Sequence, residues 1–333
     1  MNAHSQSIMQ VSHLADLIVN ARKDGLPVDN WLRRTRLHKF DLHARDGYIP
    51  ISPGYDFLRL LDQHLAGEIL EWDDFRSFNA FNMGSFSQLF LKQPDLLRSM
   101  DIIVRFIGCN RTNLKGAFSI EAGKGVLSWQ YLDPPSKGRE IMERISLAEV
   151  MSLFHSLKGK DWAPLELHLV SFSPKPFQHI LPPGEYPILC RQHRNAVYFD
   201  PDLLLLGLEF EGGMNQIMPS LQSCADLEKK IESLLLNAAP TRIITLQDCS
   251  DYFELSQRSL HRALNKKGTS YLQIYRRVQY LKSLNMLNHS ILSVSEISRR
   301  LGYQHPSHFI RFFKLQSGTT PKLYRQERKN YVE

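Results

Sequence analysis

The spacing of apolar residues changes along the chain and predicts two kinds of secondary structure in its first two thirds. Between residues 11 and 42, and again between 55 and 65, apolar residues recur three or four positions apart, which predicts helices. Residues 116–132 alternate apolar and polar positions around a Gly-Lys-Gly turn, which predicts a β-hairpin. Two more strands and a helix are predicted at 165–172, 196–200 and 146–157. Residues 1–212 are therefore predicted to form a mixed α+β domain.

After residue 212 the pattern becomes that of an amphipathic helix over residues 220–236. Its apolar stripe holds Leu227, Ile231, Leu234 and Leu235. The stripe fits a core helix and a helix that pairs with its copy in a second subunit equally well. Pro240 then favours a short linker. We predict a linker helix and linker at 213–240 and a second domain at 241–333.

The second domain contains the same pattern twice, about 48 to 50 positions apart. Each copy opens with a capping-box sequence, Thr245 with Asp248 and Ser293 with Glu296, which predicts a helix start at matching places. Five pairs of apolar residues then match between the copies: Leu246 with Val294, Cys249 with Ile297, Phe253 with Leu301, Leu260 with Phe309, and Leu264 with Phe313. The repeat predicts two helix-turn-helix units, at about 245–268 and 293–318.

Glycines punctuate these units where helices end. Gly302 lies between the two helices of the second unit, where a tight turn needs a left-handed backbone. Glu254 holds the matching position in the first unit, so that turn must accept strain or take another geometry. Gly268 and Gly318 end the following helices. A long helix over residues 271–288 is predicted to join the units, which makes this domain all-α.

The second helix of each unit places polar residues opposite its apolar face. Arginine pairs with guanine in the major groove, histidine and glutamine also contact base edges, and lysine and hydroxyl groups hold phosphates. The same residues fit an ordinary solvated face, but the arrangement occurs twice in the basic part of the chain. The predicted DNA contacts are Ser256, Gln257, Arg258, His261, Arg262, Gln304, Ser307, His308, Arg311 and Lys314.

Charge supports this assignment because it is unevenly distributed. The chain has a net charge of +7, yet residues 240–333 hold 16 Lys and Arg against 6 Asp and Glu. The remaining residues are slightly acidic. A basic surface confined to one domain indicates a polyanion partner, most simply double-stranded DNA.

The second domain resembles the DNA-binding domain of the AraC/XylS family of bacterial regulators. The resemblance is carried by ISRRLGY (297–303), by SHFIRFFKLQSGTTPKLYR (307–325) and by KKGTSY (266–271). The sequence departs from the family pattern at Glu254, at Cys249 and at Gln304-His305-Pro306. The family implies sequence-specific binding to promoter or operator DNA, activation through RNA polymerase, and a cytoplasmic, nucleoid-associated protein.

The first domain resembles, more loosely, the larger effector domain of one branch of that family. This resemblance is carried by the early helices, by DWAPLELHLVSFSPKPF (161–177) and by RNAVYFDPDLL from Arg194. It implies that the domain senses a small-molecule effector and forms a homodimer. The sequence assigns no residue to an effector and indicates no cofactor.

Other classes of protein find less support. A DNA-modifying enzyme delivered by this module is the main alternative, but the sequence has no phosphate-binding G-x-x-x-x-G-K-[ST] loop, no G-x-S-x-G elbow and no H-E-x-x-H motif. A DNA-architectural protein without sequence preference is a third class. No apolar run is long enough for a bilayer, and the first residues do not resemble a secretory signal.

Two clusters of reactive residue types fit ordinary roles better than a site. His38, Asp41 and His43 lack a further metal ligand nearby. Cys190 lies beside Arg191 and His193, yet an idle thiol is more common than an activated one. The four cysteines are far apart, which is typical of free thiols in a reducing cytoplasm: Cys109, Cys190, Cys224 and Cys249.

Overall fold

A computed structural model describes residues 7–66, 93–159, 161–206, 226–240 and 242–330. The chain forms two compact units. The first consists of Met1–Leu37 with His43–Ala225, and the second of His38–Leu42 with Asp226–Glu333. The second unit thus begins ahead of residue 241, where we predicted the DNA-binding domain to start. The predicted boundaries 1–212, 213–240 and 241–333 stay predictions about independently folding domains.

The first unit combines helices with two sheets, as the sequence pattern predicted. Its helices are α1 (Ser12–Lys23), α2 (Val28–Arg34), α3 (Ile51–His64), α4 (Leu96–Asn110) and α5 (Lys137–Lys158). Its strands are β1 (Ile8–Gln10), β2 (Tyr48–Pro50), β3 (Leu114–Glu121), β4 (Lys124–Tyr131), β5 (Glu166–His168), β6 (Ile188–Leu189) and β7 (Asn195–Phe199). β1 pairs with β2, and the other five form a sheet in the order β3-β4-β7-β5-β6. All pairings are antiparallel except β5 with β6.

The predicted hairpin is present as β3 and β4, but two other elements differ in length from the predictions. α5 begins at Lys137 rather than at residue 146, because the Ser136 hydroxyl caps it by accepting a hydrogen bond from the Arg139 amide. The strand predicted at 165–172 ends at His168. Beyond it the Val170 amide donates to the side chain of Asn195. The apolar pattern of residues 165–172 therefore extends past the residues that form β5.

Apolar residues of the sheet pack on α5 to form the core. Phe154 of α5 stacks on Trp162 at a ring distance of 4.5 Å and lies 5.0 Å from the ring of Phe199 on β7. Phe154 and Phe199 are fully buried. A buried ion pair adjoins this core, between Arg111 and Glu149, with 2.7 Å between Nη2 and Oε2. The burial of this many aromatic and apolar groups accounts for a stable first unit.

The second unit is all-α, and a long helix joins its two helix-turn-helix units. Its helices are α6 (Leu227–Leu236), α7 (Leu246–Tyr252), α8 (Gln257–Lys266), α9 (Tyr271–His289), α10 (Val294–Arg300), α11 (Pro306–Ser317) and α12 (Pro321–Asn330). The observed α+β unit followed by an all-α unit is the predicted fold class. No helix among the residues that the structure describes is long and apolar enough to cross a bilayer.

The apolar stripe of α6 is occupied inside the second unit. Ile231 and Leu234 of this stripe are fully buried. Arg277 of α9 fixes the polar side of α6, because its guanidinium donates to Glu228 at 2.9 Å and to Glu232 at 2.8 Å. Of the two roles that the sequence left open, the structure shows the core helix. Residues 220–225 of the predicted helix lie outside the described residues.

Candidate nucleic-acid interface

The first helix-turn-helix unit is built from local signals that the sequence displays. At the start of α7 the Thr245 hydroxyl accepts a hydrogen bond from the Asp248 amide at 3.1 Å, and the Thr245 amide donates to the Asp248 carboxylate at 2.8 Å. This is the predicted capping box. On α8, Leu260 and Leu264 are buried. Helix periodicity therefore turns the intervening residues outward.

The second unit repeats this construction. Ser293 and Glu296 form the same reciprocal pair at the start of α10, with hydrogen bonds of 2.8 and 3.2 Å. Phe309 and Phe313 of α11 are fully buried and share a core with Ile297 and Leu301. The matched apolar positions of the repeat thus occupy matching places in the structure.

The two turns have the same geometry although only one contains glycine. Gly302 has a φ of 86° and Glu254 has a φ of 50°, both in the left-handed region. In each unit the next residue's amide bonds back over the turn, from Leu255 to the Ser250 carbonyl at 2.9 Å and from Tyr303 to the Ser298 carbonyl at 3.0 Å. Glu254 therefore accepts the strain of a glycine conformation rather than a different turn.

All ten predicted DNA contacts lie on the outward side of the two units. Ser256, Gln257, Arg258, His261, Arg262, Gln304, Ser307, His308, Arg311 and Lys314 are exposed. Two of them also bond within the first helix-turn-helix unit. The Ser256 hydroxyl caps α8 by accepting a hydrogen bond from the Ser259 amide, and the Gln257 side chain donates to the side chain of Gln247 on α7. Among the residues that the structure describes, none of the four exposed cations of this set, Arg258, Arg262, Arg311 and Lys314, makes an ion pair.

Exposed cations without an ion pair differ from two other arginines of the second unit, Arg277 and Arg325. The guanidinium of Arg277 is held by two glutamates, and that of Arg325 donates to the backbone carbonyls of Leu287 and Leu292. Those arginines hold the fold together. The cations of α8 and α11 are available to an external partner. DNA offers two suitable partners, the anionic phosphates and the acceptor-rich edges of guanine.

Sequence reasoning missed one part of this unit, the segment His38–Leu42. The Asp41 amide donates to the Asn237 carbonyl at 2.9 Å, and the Ala239 amide donates to the Lys39 carbonyl at 2.9 Å. Phe40 is 3% exposed and its ring lies 5.7 Å from that of Tyr252 on α7. Because these partners are some 200 positions away along the chain, no local pattern pointed to them.

The same segment also supports the start of α7 electrostatically. The Lys39 ammonium lies 2.5 Å from the Asp248 carboxylate, the acidic member of the first capping box. Burial alone would raise the pKa of Asp248, but the hydrogen bonds from Lys39 and Thr245 outweigh it and hold that pKa below its usual value. Asp248 is thereby kept ionised, the form that accepts from the Thr245 amide.

The joining helix α9 contains a partly buried lysine, Lys282, and is long enough to separate the two helix-turn-helix units. Burial lowers the pKa of Lys282 to about 8, although the charge of Asp41 opposes that shift. Its ammonium donates to the Ala238 carbonyl at 3.3 Å. The 19 residues of α9 give it a length of about 28 Å at 1.5 Å per residue. The predicted long connection between the units is therefore present.

The other candidate chemistry gains no support from the geometry. Burial raises the pKa of the Cys249 thiol to about 12, which makes it inert. The described residues contain no group of three or more His, Cys, Asp or Glu side chains that could hold a metal ion. Cys224 lies outside the described residues.

Comparisons with known proteins place the same segment among regulators. A helix-turn-helix domain family matches residues 249–327. The HTH-type transcriptional activator RhaS of Escherichia coli O1:K1 is 33% identical over 85 residues, which are 25% of this chain and 31% of RhaS. RhaS from Escherichia coli O9:H4 is 32% identical over the same share of both chains. The chain thus matches about a third of the length of these relatives.

Solved structures give weaker likenesses. The transcriptional regulator CdpR from Pseudomonas aeruginosa has a TM-score of 0.33 and 14% identity, over 75% of this chain and 84% of CdpR. The DNA-binding domain of AdpA, solved in complex with a target DNA, has a TM-score of 0.29 and 21% identity, over 32% of this chain and 96% of that domain. The assignment therefore rests on the sequence matches and on the two capped units. By these, the chain carries a C-terminal helix-turn-helix domain that is similar to a segment of the transcriptional activator RhaS.

Proposed function

We propose that this chain is a sequence-specific DNA-binding transcription regulator that reads two successive major grooves with α8 and α11. The observation that carries the proposal is the repeated surface. Two helices with buried apolar faces each present exposed polar residues and cations without an ion pair among the described residues. A helix with an exposed polar face fits the major groove, which is wide enough to admit it.

The length of α9 supports reading on one side of the duplex. Successive major grooves on one side are about 34 Å apart. A joining helix of about 28 Å suits that separation, because α8 precedes it by one short turn and α10, which leads into α11, follows it. One chain then contacts two grooves, and its specificity is the sum of both contacts.

The side chains divide by the chemistry that each offers. Arg258, Arg262 and Arg311 supply forked guanidinium groups for guanine edges, and His261 and His308 supply ring nitrogens for base contacts. Gln257 and Gln304 extend the same surfaces. Lys314, Ser256 and Ser307 hold phosphates and set the register. This division is a proposal that the variants described below test.

The proposal includes the partners of a regulator. The relatives named above are transcriptional activators, which supports activation through RNA polymerase for this chain. The first unit is proposed to sense a small-molecule effector and to form a homodimer, as the resemblance to the larger effector domain implies. The protein would then act at the nucleoid in the cytoplasm.

Mapping the bound sites of the full chain across its genome, followed by footprinting of one site, tests the proposal. We expect protection of two adjacent major-groove segments on one face of the duplex, lost in the variant Arg262→Ala with Arg311→Ala. Arg105→Ala is the matched control, because Arg105 is an exposed arginine on α4, 65% exposed. Equal affinity for bound sites and random DNA, or an unchanged footprint in the double variant, would contradict the proposal.

A further inference from the structure

β3 forms a long open edge of the five-stranded sheet. Its eight residues pair with β4 in an unbroken register, from Leu114 opposite Tyr131 to Glu121 opposite Lys124. In the part of the chain that the structure describes, no strand or bridge pairs with its other side. The opposite edge of the sheet, β6, has only two residues. A short edge strand resists pairing with another chain, whereas a long one invites it.

The backbone groups of alternate β3 residues point away from β4. The Leu132 amide donates to the Asn113 carbonyl at 2.8 Å, so this opposed pair is a hydrogen-bonded one. Because hydrogen-bonded pairs alternate along an antiparallel ladder, Gly116, Phe118 and Ile120 direct their N–H and C=O groups outward. None of these groups bonds to another backbone group of the described residues.

We propose that two copies of this chain pair through their β3 edges, antiparallel about a two-fold axis at Phe118, to form one continuous sheet. This inference gives an interface to the homodimer in the proposed function and rests on that part of it. In this register Phe118 lies opposite Phe118 of the partner copy, and Gly116 lies opposite Ile120 of the partner copy. All three outward residues fall in hydrogen-bonded pairs, which gives about six backbone hydrogen bonds across the axis.

Charge complementarity selects this register. The same two-fold axis places Lys115 opposite Glu121 of the partner copy, and each dimer has that pair twice. Lys115 is exposed. Glu121 is ionised, since hydrogen bonds from Ser119 and Arg194 hold its pKa below the usual value. Opposite charges across a strand pair are favourable, and like charges there are unfavourable.

Apolar packing supports the same register. Ile120 is 61% exposed, so pairing of the two edges would remove apolar surface from water. Across the axis, Ile120 would face Gly116 of the partner copy. Gly116 has no side chain, and Ile107 of α4 occupies the space beside it, since a Cβ added at Gly116 would lie 3.1 Å from the Ile107 side chain. Pairing therefore brings Ile120 of one copy against the partly buried Ile107 of the other.

The test is the oligomeric state of the full chain without DNA, so that its outcome is independent of DNA reading. By sedimentation equilibrium we expect a dimer for the natural chain and a monomer for Ile120→Lys, which places an uncompensated ammonium inside the interface. Phe172→Lys is the matched control, because Phe172 is 82% exposed and follows β5, which lies three strands from β3 in the sheet. Lys115→Glu should weaken the dimer, and adding Glu121→Lys should restore it.

Amide hydrogen exchange supplies the second readout. In the dimer the amides of Gly116, Phe118 and Ile120 should exchange slowly at high protein concentration and quickly on dilution. Circular dichroism checks that each variant is folded. A monomeric natural chain, a dimer that survives Ile120→Lys, or outward amides that exchange equally at all concentrations would each overturn the proposal.

Discussion

Phe40→Ala is expected to destabilise the second unit selectively. Phe40 is 3% exposed and packs on Tyr252 of α7, in a segment held by backbone hydrogen bonds to Asn237 and Ala239. Truncating a buried phenylalanine to alanine costs about 3 to 5 kcal/mol through lost burial and the cavity left behind. Whole domains are stable by only about 5 to 15 kcal/mol, so a fifth or more of the stability of this unit would be lost.

Two probes separate the units in this experiment. All four tryptophans belong to the first unit: Trp31, Trp72, Trp129 and Trp162. Tryptophan fluorescence therefore reports the unfolding of the first unit alone. Native-state hydrogen exchange of the α7 and α8 amides reports the second. We expect the opening free energy of those amides to fall by about 3 to 5 kcal/mol in Phe40→Ala, with fluorescence-detected unfolding unchanged.

Phe172→Ala is the matched control, since Phe172 is 82% exposed and its loss should change neither probe. If the α7 and α8 amides keep full protection in Phe40→Ala, the segment His38–Leu42 is not part of the core of the second unit. If the fluorescence transition shifts while α7 is unaffected, Phe40 stabilises the first unit instead.

Four further changes test the second unit. Residues 241–333 alone should bind specific DNA in gel-shift assays with a steep salt dependence, because both reading helices are retained. This fragment should melt at a lower temperature than the second unit of the full chain, because Phe40 and Ile231 are absent. For Lys282, the folded pKa of about 8 is below the unfolded value, so the unfolded chain binds more protons between about pH 8 and 10.5. The free energy of unfolding should therefore rise with pH over that window. Urea unfolding followed by circular dichroism should show this rise, and Lys282→Met should flatten it. Glu254→Gly should stabilise the first helix-turn-helix unit by about 1 kcal/mol by relieving a left-handed residue, and Gly302→Ala should destabilise the second by a similar amount, both read from thermal unfolding.

The helix-turn-helix repeat was predictable from sequence because its determinants are local. A capping box spans four residues, and a turn is specified by one glycine. Core positions such as Leu260 and Leu264 follow from spacing along a single helix. The sequence also indicated that the turn at Glu254 must accept strain or take another geometry, since the matching position in the repeat holds Gly302, and the structure shows the strained form. Exposure of the ten predicted contacts followed from the same periodicity.

Features that depend on distant partners were not predictable. The Lys39 and Asp248 pair joins residues 209 positions apart, and nothing in the 38–42 sequence indicates which helix it contacts. The stripe of α6 showed that it must pack, but an apolar stripe does not name its partner. Only the ion pairs of Arg277 with Glu228 and Glu232 and the burial of the stripe identify a core helix.

The central claim, that α8 and α11 read bases, is tested most directly by binding of single variants to a panel of single-base operator changes. Arg262→Ala and Arg311→Ala should each cost about 1 to 3 kcal/mol and relax preference at particular base pairs, while the fold stays intact. Lys314→Ala should weaken binding to every operator alike, because an ammonium near the end of the helix meets phosphate. Uniform losses for both arginine variants, with a changed base preference for Lys314→Ala, would contradict the account.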